Sequence, residues 1–420
     1  MLTLTKENVT DYLKERMPDL DYSKPLIISA IGEGSEEEDG DGFINFVLRV
    51  SDGKKKLIVK QARSTSRRGG FAVSIDRARY EYQSMEIRKS IVPEYIPDLY
   101  FMDEENHVFV TEDVSHLKIM RFQLNKGVMF PKFAKQAGEY LAKTHFYTSE
   151  YYLDTKSFRD LTIHFMNHKM RDIFDTNAFI TKKDSEQDFG RQMNPKYEQF
   201  IRRLLLDEKV ILERYKLRSL FITKGEALLH GDFHTSNVFI DQDDMQVIDM
   251  EYTFCGPISY DIGYMSSHLL SQFACAAFRP FESEQARKEF QAYILLQMRE
   301  LYTEYIKCFF QCWDKDAKEI YKGQKGLQED VAKTVLEEMI GFCATSNFSR
   351  ASGEIGYPEY DAIEDEVQRH NAICLSMFLD YKTILNRKNY RSINEYIDDL
   401  VDITNIYQKI ISEDESQSYS

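Results

Sequence analysis

The chain has 420 residues, 43% of them hydrophobic, and a formal net charge of -15 at pH 7. That length and apolar content suit a large folded core and exclude a disordered tail protein. The acidic balance argues against binding nucleic acid or anionic lipid through phosphate charge, which leaves small or metal-bound partners.

In chain order, the first hundred or so residues alternate short β-like runs with turn residues. Residues 43–50 and 56–59 read as neighbouring strands joined by the Ser51-Asp52-Gly53 turn. Helical spacing of Ala78, Tyr82 and Met85 predicts a helix over 76–90. Two more strands follow at 99–102 and 108–111, around the turn at 103–106. From residue 133 the pattern turns helical, with helices expected at 133–146, 197–215, 282–310, 328–347 and 361–386. Short runs at 228–237, 238–241 and 246–249 interrupt it, with a turn at 242–244. The reading is α+β and bilobal, of the protein-kinase-like kind: a small antiparallel-sheet lobe with one helix, then a large helical lobe. Its expected parts are 1–114, a hinge at 112–115, a catalytic and substrate lobe at 115–412, and a disordered tail at 413–420.

The six cysteines are scattered, no signal peptide precedes them, and Cys308 and Cys312 lack a further close Cys or His pair to make a zinc set. Buried thiols in a reducing cytoplasm are expected. No stretch reaches the length of uncharged apolar sequence that a membrane span requires, so a soluble cytoplasmic protein is expected.

The strongest chemical pattern is His230-Gly231-Asp232-Phe233-His234-Thr235-Ser236-Asn237, followed by a hairpin that ends in Asp249-Met250-Glu251. A kinase needs one carboxylate to accept a hydroxyl proton, an amide oxygen for Mg²⁺, and a second carboxylate chelating Mg²⁺ across a hairpin. Asp232, Asn237 and Asp249 have those types at a workable spacing. Glu251, two residues past Asp249, points to the same side in an extended chain and is a further candidate for Mg²⁺. His230 is read as holding the loop through backbone groups, and His234 as lining the phosphate or acceptor side. Upstream, Lys60 ends an apolar strand where its ammonium can meet the phosphates of ATP, and Glu81 on the next helix is its expected partner. Two glycine-rich segments stand in series, Gly32-Glu33-Gly34 and Gly40-Asp41-Gly42. The phosphate-covering turn is placed at Gly40 and Gly42, leading into Asn45, and the acidic run at 35–39 is taken as a solvated insertion.

With these residues in place, the chain resembles the methylthioribose kinases, within the wider group of aminoglycoside and choline kinases. The resemblance covers most of the chain and rests on Gly40-Asp41-Gly42 into Asn45-Phe46, Leu57-Ile58-Val59-Lys60, Asp76-Arg77-Ala78-Arg79 with Glu81, His230-Gly231-Asp232, Asp249-Met250-Glu251, and Gly256-Pro257 with Asp261-Ile262-Gly263. It implies that Glu112 and Val114 flank a hinge whose backbone holds adenine, and that Asp249 and Glu251 both engage Mg²⁺-nucleotide. It also places a substrate-side aromatic residue at Phe71, where the family typically has Trp. The family's late substrate-binding arginine pair is absent at 341–342, where Gly341 and Phe342 stand, and Asn237 replaces the family's Ser.

The expected activity is therefore transfer of phosphate from ATP, with Mg²⁺, to a small-molecule hydroxyl, the C1 hydroxyl of 5-methylthioribose or a related 5-deoxypentose, with Asp232 as base. The alternatives are another hydroxyl acceptor, such as an aminoglycoside or a choline-like amino alcohol, and a nucleotide-binding regulator without transfer. Neither nucleic acid nor membrane is an expected partner, and a homodimer is left open.

Overall fold

The computed structural model describes residues 2–32, 44–67, 70, 72–179, 195–351 and 358–418. Gly40, Gly42 and Phe71 lie outside the described residues. The protein is bilobal α+β, and by compactness its residues fall into two units: 1–123 with 163–171 and 230–254, and 124–162 with 172–229 and 255–420.

The first unit is organised by one five-stranded sheet. In chain order it contains helix α1 (Val9–Arg16), strands β1 (Ile27–Ala30), β2 (Phe46–Ser51) and β3 (Lys56–Gln61), helix α2 (Arg77–Ile91), and strands β4 (Leu99–Asp103) and β5 (Val108–Glu112). The spatial order is β1-β2-β3-β5-β4, every pair antiparallel. The β2–β3 turn closes because the Asp52 carboxylate accepts from the N–H groups of Lys54 at 2.8 Å and Lys55 at 2.7 Å while Gly53 supplies the left-handed φ of 92°. Val9, Tyr12 and Leu13, one helical stripe of α1, pack with Val50, Leu57, Val59, Val108 and Val110 of the sheet. A second, three-stranded sheet in this unit joins Lys118–Ile119, Val238–Ile240 and Met245–Val247.

The second unit is helical. Its longest helix, Glu284–Asp316, is capped by the Ser283 side chain and carries Trp313, which is buried against Tyr151 and Tyr321. Helix Ser259–Ala276 is buried at every residue and so shows no polar face in the sequence. Gly263 lets it approach helix Leu327–Ala351 closely, since a Cβ there would sit 2.6 Å from the Met339 carbonyl oxygen. Asp261, from the same motif, is fully buried and meets His145 at 3.2 Å. Gly341 packs on Leu217, and Phe342 lies edge-on to Tyr260 and Phe179. All six cysteines are free thiols.

Two expected helices are corrected. The helix read over 197–215 is two helices, Pro195–Leu205 and Glu208–Thr223, because Asp207 takes an extended backbone and its carboxylate accepts from the Lys209 N–H. Likewise the segment read over 361–386 is a short helix Pro358–Asp361 and a long one Glu366–Asn386, which starts where Asp365 caps the Gln368 N–H. The last helix runs Ile393–Ser418, over most of the segment read as a tail. No helix of the described residues is long and apolar enough to cross a membrane.

Asp380 gives this unit a measurable pH dependence. It is fully buried, accepts from Asn347 Nδ2 at 2.7 Å, and burial pushes its carboxyl well above the ordinary range. The unfolded chain therefore ionises Asp380 at a lower pH than the folded one. Its contribution to stability is present below the unfolded value and falls by about 1.4 kcal/mol per pH unit above it, until the folded group ionises. Asp380→Asn should flatten that decline and be at least as stable as the wild type at pH 8, measured by urea denaturation at pH 5 and pH 8. A variant that loses stability equally at both pH values would contradict this account of Asp380.

Candidate functional site

The candidate residues with described side chains, Asn45, Lys60, Glu81, Glu112, Val114, Asp232, His234, Asn237, Asp249 and Glu251, all belong to the first unit. Lys60 sits on β3, paired with Phe109 of β5, and strand alternation sends its buried side chain to the face where α2 lies. Its ammonium donates to Glu81 Oε1 at 2.8 Å and also bonds Asp249 Oδ1. Burial opposes the ammonium, but the carboxylates of Asp249, Glu81 and Glu251 outweigh it, so Lys60 is raised and stays charged. Burial likewise pushes the carboxyls of Glu81 and Glu251 up, with Lys60 working against the shift in both.

The 230–237 loop is built from local hydrogen bonds. His230 Nδ1 accepts from the Asp232 N–H at 3.2 Å, which makes Nε2 the protonated nitrogen, 3.0 Å from the Ile248 carbonyl. His230 thus joins this loop to the strand leading into Asp249. Asn237 Nδ2 donates to the Asp232 carbonyl at 3.0 Å and lies 3.4 Å from Asp232 Oδ2, while the Asn237 main-chain carbonyl accepts from the Ile248 N–H at 3.0 Å. His234 Nε2 is also 3.4 Å from Asp232 Oδ2, and its Nδ1 accepts from the Ser236 N–H. Asp232 and Asn237 are therefore neighbours, as their spacing predicts, and His234 lies beside Asp232 as well. Asp249 adopts a left-handed φ of 65°, an uncommon state for a residue with a side chain and one that turns its carboxylate out of strand geometry toward Lys60.

Glu251 is 2% exposed, and its Oε2 accepts from Asn45 Nδ2 at 2.7 Å and lies 3.2 Å from Arg77 Nε. Asn45 is thus occupied with Glu251 and, through Oδ1, with Arg77 at 3.0 Å. One carboxylate oxygen each from Glu81, Asp249 and Glu251 lie within 4.8 Å of one another, a hard-oxygen set of the kind divalent cations take. Glu112 ends β5, and Val114 is buried beyond it, with Asp113 between them paired to Arg49 at 3.0 Å. Sequence reasoning missed Asn167. Its Nδ2 donates to both the Glu251 and Thr253 carbonyls at 2.9 Å, and it sits in a short connection with no motif around it.

Gly231 makes the two loops compatible. Its φ is +84°, and a Cβ there would sit 2.2 Å from the Tyr252 carbonyl oxygen. Gly231→Ala should cost more than about 2 kcal/mol in urea denaturation, from left-handed strain plus displacement of Tyr252. It should also weaken nucleotide binding, and a variant with wild-type stability would show that this contact is not a constraint.

A family model described as "Phosphotransferase enzyme family" matches residues 36–302, more than half of the chain. A methylthioribose kinase from Geobacillus sp. (strain WCH70) is 32% identical over 366 residues, covering 85% of this chain and 88% of that protein. Another methylthioribose kinase, from Bacillus velezensis, is 32% identical over 369 residues, covering 86% of this chain and 89% of its own. Among solved structures, a choline/ethanolamine kinase family protein from Mesorhizobium loti has a TM-score of 0.46 at 14% identity, over 92% of this chain and 99% of that one.

Proposed function

Because the chain belongs to the phosphotransferase enzyme family and, within it, to the methylthioribose kinases, so that it is a small-molecule kinase acting on a hydroxyl, we propose that its acceptor is the C1 hydroxyl of 5-methylthioribose or a related 5-deoxypentose. The single observation that carries the chemistry is the clustering of Asp232, Asn237 and His234 on one hydrogen-bonded loop, tied by His230 to the strand that leads into Asp249.

Asp232 orients the acceptor hydroxyl and takes its proton as the oxygen–phosphorus bond forms. The bond from the γ-phosphorus to the bridging oxygen breaks in the same transfer, and ADP leaves. Lys60, kept cationic by Glu81 and Asp249, offsets charge on the phosphates. At the nucleotide's other end, backbone groups of Glu112 and Val114 hold adenine. In support, no described residue accepts from the Val114 N–H. His234, beside Asp232, lines the acceptor side.

Mg²⁺ fits this chain's donors. Asn237, Asp249 and Glu251 would hold it through oxygen, and Glu81, Asp249 and Glu251 already gather oxygens within 4.8 Å. When bound, the ion neutralises phosphate charge.

A second reading keeps the transfer and changes the acceptor to an aminoglycoside or a choline-like amino alcohol. What favours it is that Gly341 and Phe342, where an arginine pair for the sugar is expected, are packed into apolar core.

Coupled ADP release should separate the two. With 5-methylthioribose, 5-deoxyribose, choline and an aminoglycoside compared at equal concentration, kcat/KM should be highest for 5-methylthioribose, by tenfold or more over the two amine acceptors. No turnover with either sugar would reject the proposed acceptor.

A further inference from the structure

Helix α2 carries a buried polar stripe, Arg77, Glu81, Ser84 and Arg88, where an ordinary packed helix carries apolar residues. The spacing of four, three and four keeps all of them on one face. That face meets the 249–253 loop. Arg77 Nε lies 3.2 Å from Glu251 Oε2, Glu81 reaches Asp249 through Lys60, and Ser84 Oγ donates to Thr253 Oγ1 at 3.1 Å.

Arg77 is 0% exposed, and its Nη1 donates to the Arg63 carbonyl at 2.8 Å and the Ser74 carbonyl at 2.6 Å. These bonds fix the guanidinium before it meets Glu251. Asn45 closes a triangle, accepting from Arg77 Nε and donating to the same Glu251 Oε2. From the other side, Asn167 holds the Glu251 main-chain carbonyl. Glu251 is thereby fixed at one side-chain oxygen and at its backbone, and no described hydrogen bond takes Oε1.

A buried ion pair contributes little net stability, because desolvation cancels most of the attraction. An arginine and an asparagine on one carboxylate, with a second asparagine on the same residue's main-chain carbonyl, call for another explanation, and the neighbourhood supplies it. Three carboxylates crowd within 4.8 Å. Lys60 sits on two of them, Glu81 and Asp249. Arg77 sits on the third.

We propose that Arg77 is a positioning residue: with Asn45 and Asn167 it clamps Oε2 and the backbone of Glu251, so that Oε1 is presented beside Asp249 to the divalent cation of the nucleotide complex. This rests on the reading of Asp249 and Glu251 as cation ligands. Outer partners that orient a ligating carboxylate typically account for about 10- to 100-fold in metal affinity.

The test is Mn²⁺ affinity of the full chain in the presence of ADP, read by electron paramagnetic resonance, with no turnover involved. Arg77→Met should weaken Mn²⁺ about tenfold or more, and Arg77→Lys, which keeps the charge and a donor, should recover part of that. Glu251→Gln should weaken it too, and Arg77→Met on top of Glu251→Gln should change affinity by less than about twofold, since Arg77 acts through Glu251. Wild-type affinity in Arg77→Met, or a full additional loss in the double variant, overturns the proposal. Should Arg77→Met fail to fold, Asn45→Ala removes the other donor to Oε2, and its loss must likewise vanish in the Glu251→Gln background. Asp249→Asn separates the two levels. If it binds Mn²⁺ as the wild type does, the cation site itself is misread; if it alone loses Mn²⁺, only the role of Arg77 falls.

Discussion

A charged ammonium is held out of water by Lys60, and most of the first unit is arranged around that fact. An isolated buried cation would deprotonate or unfold its surroundings. Here Glu81 and Asp249 bond it directly and Glu251 adds a longer-range attraction. Each partner comes from a different element: Lys60 from a central strand, Glu81 from α2, and Asp249 from the end of a hairpin distant in sequence. One ion-pair network therefore fixes strand, helix and loop together, and the price is a crowd of carboxylates that needs a second buried cation, Arg77, beside Glu251.

The loops around this network are built from backbone states that ordinary sequences avoid. Gly231 and Asp249 both have left-handed φ, and Gly231 lies against Tyr252 with no room for a Cβ. His230 stitches the two loops by accepting from one backbone group and donating to another. Such strain persists only where the surroundings over-determine it, and here hydrogen bonds from Asn167 and Asn237 do so. The resulting rigidity is what positioning a hydroxyl against a phosphoryl group requires, since little covalent chemistry is left for the protein to perform.

Much of this was legible beforehand because the chemistry demands particular residue types at particular separations. Lys60 meets Glu81, as the chemistry of a phosphate-binding lysine demands, and Asp232 meets Asn237, as their spacing implies. Arg77 was visible only as a member of a motif, since a buried arginine on a helix reads as a solvated one until its partner is known. Asn167 carries no local signal at all. Helix Ser259–Ala276 escaped because burial on every side removes the periodicity that marks a helix. The breaks at Asp207 and Asp365 escaped for the opposite reason: apolar periodicity continues across them, and a single capping carboxylate decides where the helix stops.

Asp232 is the group proposed to take the acceptor's proton. The most direct measurement compares ATP binding by calorimetry with single-turnover phosphoryl transfer in Asp232→Asn. Retained ATP affinity, within about threefold, with transfer slowed by about 10²- to 10⁴-fold, is the predicted result. Transfer at close to the wild-type rate would contradict it and move the base elsewhere.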